Sequence, residues 1–281
     1  MSQHFEMILL FLLQPITWAM FALGACIGSF LNVCIYRIPK KTFWQDARSK
    51  CPHCGAAIPI WFNIPIVSWL VLRGKAACCG GKISWQYPII ELSCAIVTAF
   101  IYWKFPFLSL AGAIEIDSAE TLRFFHCLVF FSILLVCSVI DLHLQIIPDV
   151  ISIPMILLTP LVIYLHPELN WTSGLVGALL GGGILYAIAI LYYLLRREIG
   201  LGMGDVKLLA GIGGWLGYQA LLPTLLVASI TGAAVGILLI LKTRSLNMQL
   251  RVPFGPFLSL GAMLYLLFGQ QINEFLFYQG P

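Results

Sequence analysis

Three aspartates stand where charge is expensive. Asp141 closes an apolar run in Val139-Ile140-Asp141-Leu142-His143, Asp149 follows Pro148 at the start of the next run, and Asp205 lies between Gly202-Met203-Gly204 and Val206-Lys207. Ionisable groups at such depth cost free energy and are functional candidates by default. Gly202 and Gly204 remove side chains from the approach to Asp205 and permit positive φ, so a peptide strand or a second carboxylate can come close. Two carboxylates a few ångströms apart do not both ionise readily, and the pair shares a proton. Two of these three aspartates, so placed, would be an acid and a base for attack of water on an amide. The ionised member takes a proton from the water, and the protonated member hydrogen-bonds the scissile carbonyl oxygen. Gly202, Gly204 and Lys207 are read as residues that shape the site around Asp205.

A second constellation is built on thiols. Cys51, Cys54, Cys78 and Cys79 fall in one polar, basic stretch, whereas Cys26, Cys34, Cys94, Cys127 and Cys137 fall in apolar runs, where free cysteine behaves as a small hydrophobe. Cys51-Pro-His-Cys54-Gly has the spacing of a zinc knuckle, two thiolates turned onto one tetrahedral ion with a glycine to relieve the turn. Ala77-Cys78-Cys79-Gly80-Gly81 supplies the other half of a zinc-ribbon-like loop. Adjacent cysteines point apart, so Cys79 is taken as third ligand ahead of Cys78, with His53 a further candidate for the fourth. The metal would fold a loop with too little apolar surface to fold alone.

The elements that position these residues must be membrane helices. Of 281 residues, 60% are hydrophobic and only 10% charged, with a mean hydropathy of +0.94. A soluble domain is roughly 25% charged, so a water-facing fold is excluded. Apolar runs near 8–36, 88–103, 124–141, 149–165, 174–195, 206–221, 222–241 and 254–273 predict an all-α polytopic protein of about eight spans, at about 20 residues each. The sixth and seventh abut around Pro223 and could be one kinked span. Arg37, Lys40, Lys41, Arg48, Lys50, Arg73, Lys75 and Lys82 mark 37–87 as cytoplasmic by the positive-inside rule. Eight spans then place Arg196, Arg197, Lys207, Lys242, Arg244 and Arg251 inside as well, and only Lys104 and Arg123 outside. Both termini are expected on the periplasmic side. The net charge of +4 is a topology signal, with no indication of a nucleic-acid partner.

The remaining acids have blander readings. Glu6, Glu115, Asp117, Glu120, Glu168 and Glu274 fall on the outer side and Asp46 in the loop, as solvated groups. For Glu91 and Glu198, pairing or helix-dipole compensation suffices. Gly177 and Gly181 predict close helix packing in lipid. The first apolar run is too long, and lacks the basic start, for a cleaved secretory signal. No internal repeat is evident.

Taken together, these residues resemble the GxGD-type intramembrane aspartic proteases, specifically the bacterial prepilin peptidases (type 4 leader peptidases). The resemblance is carried by Gly202-Met203-Gly204-Asp205, by Asp141 with Pro148-Asp149, and by Gly28-Ser29-Phe30-Leu31-Asn32-Val33 through Tyr36-Arg37-Ile38-Pro39. It is carried also by the cysteine motifs, Asn63-Ile64-Pro65 with Ser68-Trp69, Arg73-Gly74-Lys75, Tyr87-Pro88 with Glu91, and Pro253-Phe254-Gly255-Pro256, all in the family's order. It implies that Asp141 and Asp205 are the catalytic pair and that Asp149 is a neighbouring motif residue. It further implies cleavage of the basic leader from type IV prepilins and pseudopilins of pilus and type II secretion systems, at the cytoplasmic face of the inner membrane. N-methylation of the new terminus with S-adenosylmethionine is implied too. The family's second cysteine pair is usually Cys-x-x-Cys, whereas here Ala76 occupies the first place and Cys78 stands beside Cys79.

On this reading residues 1–36 are the first membrane helix, 37–87 the cysteine-bearing loop associated with methyl transfer, and 88–281 the peptidase region. The alternative is a proton-coupled transporter, since aspartates beside glycine-broken helices also suit ion translocation. It predicts acids near mid-membrane and an inverted repeat, neither of which is visible.

Overall fold

The structure is a computed structural model that describes residues 14–44, 49–109, 115–166, 169–198, 202–243 and 252–277. Glu6, Asp46, Arg48, Glu168, Arg244 and Arg251, used above to orient the chain, lie outside the described residues. The chain divides into two compact units, Met1–Ser132 and Ile133–Pro281.

In the first unit, helix α1 (Pro15–Arg37) packs along α3 (Gln86–Lys104). Gly24 and Gly28, four residues apart on α1, make this possible: a Cβ at Gly28 would lie 2.7 Å from the Cα of Glu91. Small residues at this spacing let helix backbones touch without side chains between them. The intervening polar stretch holds a 3-10 turn (Ile60–Asn63) and a short helix α2 (Val67–Val71). Trp69 and Trp85 pack against each other there, with ring centroids 4.1 Å apart, Trp69 half-buried and Trp85 exposed. Gly74, at φ +69°, lies flat against the Trp69 ring. A two-residue hairpin, β1 (Leu108–Ser109) against β2 (Glu115–Ile116), follows α3. Asp117 then caps α4 (Ser118–Leu144), its Oδ1 accepting from the N–H groups of Ala119 and Glu120. This is a specific N-cap role for a residue read from sequence as merely solvated, and Glu120 pairs with Arg123 at 2.6 Å. The boundary between units falls inside α4.

The second unit contains the end of α4, then α5 (Asp149–Leu157), α6 (Thr159–Leu165), α7 (Trp171–Arg196), α8 (Met203–Leu216), α9 (Leu221–Thr243) and α10 (Gly255–Phe277). Helix α8 is its centre, with Leu208, Leu209 and Ile212 fully buried. Its glycines serve two faces. Gly213 meets Gly177 of α7 backbone to backbone and Gly181 meets the Leu209 carbonyl, as expected for Gly177 and Gly181. Gly211 and Gly214 instead admit Met155 of α5 and Thr159 of α6. The Trp215 indole N–H donates to the Met155 carbonyl at 2.7 Å, which pins the end of α8 to α5.

Among the described residues four helices are long and apolar enough to cross a membrane: Pro15–Arg37, Ser118–Leu144, Trp171–Arg196 and Tyr218–Lys242. The other expected spans differ for physical reasons. The segment 149–165 is two helices joined at Leu158, with Pro154 inside the first and Pro160 opening the second. Helix α8 has 14 residues, about 21 Å at 1.5 Å per residue, which is short of the roughly 30 Å hydrocarbon core. The sixth and seventh expected segments are separate helices, but the break falls at Gly217 (φ +85°) and the 3-10 turn Tyr218–Ala220, not at Pro223. Proline is tolerated in a first helical turn, and the positive φ needs glycine. Helix α10 is interrupted at Phe268.

Candidate functional site

Asp141 lies one turn before the end of α4, which stops at Gln145 with φ +55°. It is buried, 5% exposed, and its Oδ2 accepts the Gly255 N–H at 3.0 Å. Gly255 opens α10, and a Cβ there would lie 2.7 Å from that same oxygen. The Pro253-Phe254-Gly255-Pro256 stretch is thereby explained: only glycine lets the α10 N-terminus approach the carboxylate and donate to it.

Asp205 occupies the first turn of α8, half-buried. Gly204, which precedes it, and Gly255, whose N–H binds Asp141, both face Ile147, so the two aspartates, 64 residues apart in sequence, are brought to one site. The glycines of the motif work differently from expectation. Gly202 is extended (φ −73°, ψ 136°) and Gly204 is helical, so neither uses positive φ. What they provide is space. A Cβ at Gly202 would lie 3.3 Å from Asp205 Oδ2, and one at Gly204 would lie 2.9 Å from Ile147. Ile147, buried, also touches the position of a Gly255 Cβ at 3.2 Å. It is the apolar floor shared by the segments bearing the two aspartates, and nothing in its residue type marked it in the sequence.

Asp149 and Lys207 form an ion pair at 2.6 Å. The pair is partly exposed, so it contributes at most about 1 kcal/mol. It ties the first residue of α5 to the first turn of α8, two residues beyond Asp205. Asp149 is thus placed beside the aspartate pair and engaged with Lys207.

The four loop cysteines converge. Their sulfurs all lie within 4.8 Å of one another, with Cys51–Cys79 at 3.7 Å and Cys54–Cys78 at 3.3 Å. A tetrahedral ion with Zn–S bonds of about 2.3 Å needs S···S edges of about 3.8 Å, so the donor set fits such an ion. All four are free thiols. Backbone N–H groups of Cys54 and His53 hold the Cys51 thiol down, at about 6, ready to ligate as thiolate. The hydrogen bond with the neighbouring Cys54 thiol pushes Cys78 up to about 12.

Cys78 and Cys79 both point into the cluster, contrary to the expectation that adjacent cysteines diverge. The reason is a small internal repeat that the sequence did not reveal. In the first knuckle Cys51 N–H donates to Ala56 O, Gly55 N–H donates to Cys51 O, and Lys50 bridges Ala57. In the second Ala76 N–H donates to Gly81 O, Gly80 N–H donates to Ala76 O, and Lys75 bridges Lys82. Gly55 and Gly80 both have positive φ, 72° and 69°. Ala76 therefore occupies the place of Cys51, Cys79 that of Cys54, and Cys78 that of His53. The thiol missing at 76 is supplied from position 78. His53 is not in the cluster; its Nε2 hydrogen-bonds Lys82 O at 2.9 Å and links the two knuckles.

Glu91, read from sequence as paired or dipole-compensated, is placed differently. It is 7% exposed and accepts the Ile66 N–H at 2.7 Å and the Ser29 hydroxyl. No Lys, Arg or His pairs with it among the described residues, so the expected ion pairing is absent.

Comparison with known proteins bears on both units. Residues 22–105 match the family described as the bacterial peptidase A24 N-terminal domain, and residues 128–237 match the type IV leader peptidase family. A prepilin leader peptidase/N-methyltransferase of Stutzerimonas stutzeri is 33% identical over 92% of this chain and 94% of its own length. Proteins of the same description from Pseudomonas aeruginosa and Dickeya chrysanthemi are 34% and 37% identical, over 90% and 89% of this chain and 90% and 92% of their own lengths. These matches lend the transporter alternative no support. No solved structure matches. With relatives of this identity aligned along nearly their whole length, the chain belongs to the type IV leader peptidase family.

Proposed function

We propose that this protein cleaves the leader peptide from type IV prepilins and pseudopilins and N-methylates the amino terminus so created. The Asp141–Asp205 pair carries the first reaction. The observation that supports it most is that Gly204, next to Asp205 in the Gly-Met-Gly-Asp turn of α8, and Gly255, which donates to Asp141 of α4, both pack on Ile147. The ionised member draws a proton from water, whose oxygen attacks the scissile carbonyl carbon. The protonated member donates to the carbonyl oxygen and later returns a proton to the leaving amine. The Gly255 N–H holds one oxygen of Asp141 in place, and the Asp149–Lys207 ion pair sets the first turn of α8.

On this reading the chain is an inner-membrane protein with all eight apolar segments crossing or embedded in the bilayer and both termini periplasmic. Residues 37–87 are a cytoplasmic domain, and residues 88–281 are the peptidase region. Cys51, Cys54, Cys78 and Cys79 hold a structural zinc ion that folds the cytoplasmic domain, which has little apolar core. S-adenosylmethionine, as methyl donor, supplies an electrophilic methyl group on a sulfonium. The test is to incubate the purified protein with a prepilin and labelled S-adenosylmethionine and weigh the product. A product lacking the leader and heavier by one methyl group is expected. An intact precursor would refute the cleavage reading, and a cleaved product without the added methyl would refute methylation.

A further inference from the structure

Among the described residues of the first unit, Glu91 is a buried carboxylate that no cation partners. It lies on the seam where Gly28 of α1 meets α3 backbone to backbone, and it receives only neutral donors, Ile66 N–H and the Ser29 hydroxyl. On the same seam, one helical turn beyond Gly28 on α1, Asn32 is 4% exposed. Its Nδ2 donates to Tyr87 O at 3.2 Å, and its Oδ1 is buried with no partner. Ile66 itself holds φ +63°, a conformation that is rare and costly for a β-branched residue. A buried carboxylate without a cation, an orphaned carbonyl oxygen on the same seam and a strained backbone donor together describe a site organised for a positively charged ligand that donates hydrogen bonds.

We infer that Glu91 and Asn32 form the acceptor site for methyl transfer and receive the ammonium of the newly cleaved amino terminus. The inference rests on the methylation reading above. It names a residue that composition and spacing had left as a helix-dipole partner. The ligand class follows from charge: a primary ammonium carries three N–H donors, matching the Glu91 carboxylate and the unpartnered Asn32 Oδ1. Glu91 acts as base. Its carboxylate takes one N–H proton, the freed nitrogen lone pair forms the N–C bond to the donor's methyl, and the C–S bond breaks with its electron pair passing to sulfur. The product is a secondary ammonium and a neutral thioether, so charge and atoms balance with no further reactant. The titratable groups facing Glu91 are Tyr87 and Cys94 on α3, with Tyr36 of α1 facing Tyr87.

Glu91→Gln separates this role from a packing role, because glutamine keeps the volume and an oxygen to accept the Ile66 N–H. With the full-length protein, prepilin and labelled S-adenosylmethionine, the variant should cleave at the wild-type rate and methylate about 100-fold or more slowly at neutral pH. The deficit should shrink as pH rises through the amine's ordinary range of about 7.7–8.0, since an amine already deprotonated needs no base. Binding of a labelled peptide bearing the cleaved terminus should weaken by roughly 10-fold or more, as expected for a lost charge-assisted hydrogen bond. Asn32→Ala should raise KM for that peptide and leave KM for the methyl donor unchanged. Wild-type methylation alongside an equally active Glu91→Gln overturns the inference alone. So does a methylation loss that is flat with pH or accompanied by lower Tm and slower cleavage. A wild-type protein that cleaves without methylating rejects the underlying reading instead.

Discussion

At the residue scale, three carboxylates and four thiols stand out of place for their surroundings. Asp141, Asp149 and Asp205 are carboxylates at the ends of apolar runs with no cheap structural explanation, and Cys51, Cys54, Cys78 and Cys79 are two thiol pairs in one polar loop. What the residue types could not convey was how Gly204 and Gly255 act. Both make room, for Ile147 and for the Asp141 carboxylate, and neither adopts the positive φ that motivates glycine in a turn. Cys78 is the clearest case of geometry overruling local expectation. Adjacent cysteines do diverge on an extended chain, but the knuckle backbone of 75–82 repeats that of 50–57, and position 78 can face the cluster while Ala76 holds the place of Cys51. A direct consequence is that Cys78→Ala should lower bound zinc from one ion per chain to well under half. The double variant Ala76→Cys with Cys78→Ala should restore it, and His53→Ala should leave it unchanged. Metal analysis and the thiolate-to-cobalt absorption of the cobalt-substituted protein read this out. Full zinc occupancy in Cys78→Ala would show that the register is wrong.

At the element scale, hydropathy found the helices but not their breaks. The single apolar run 149–165 conceals a division at Leu158 set by two prolines, and α8 is shorter than its apolar run because Gly217 ends it. Both breaks serve α8, which holds Asp205 at its N-terminus and is gripped by α7 on one side and α5 and α6 on the other. The grip on α7 depends on glycine: a methyl at Gly177 would overlap the Gly213 backbone. Gly177→Ala should therefore push α7 and α8 apart and cost about 1–3 kcal/mol, lowering Tm in detergent by roughly 2–4 °C per kcal/mol. Leader cleavage should fall with it, because the displaced element carries Asp205. An unchanged Tm and cleavage rate would mean that the contact between the two helices is not tight. The hairpin β1–β2 left no trace in hydropathy, as two residues per strand are too few for an alternation to register.

At the scale of the whole molecule, the scarcity of charge identified a membrane protein, and the placement of the few remaining charges carried most of the functional information. Two compact units correspond to two family matches, residues 22–105 and 128–237, and to two proposed chemistries. Each is centred on buried carboxylate chemistry that a soluble protein would solvate: Asp141 and Asp205 in the second unit, Glu91 in the first. Glu91 stands among the motif residues of the resemblance, but its lack of a cation was not legible, because an acid at a helix start is ordinarily paired or dipole-compensated. Only the packing of Gly28 against its Cα and the partners of its oxygens reveal that it has no cation. The central claim is that Asp141 and Asp205 act together. Its most direct test is the rate of prepilin leader cleavage by purified Asp141→Asn and Asp205→Asn, each checked for wild-type Tm. Neither single variant should release the leader at a detectable rate, and the double variant should be no worse than either. Cleavage retained near the wild-type rate by either folded single variant would contradict the pair.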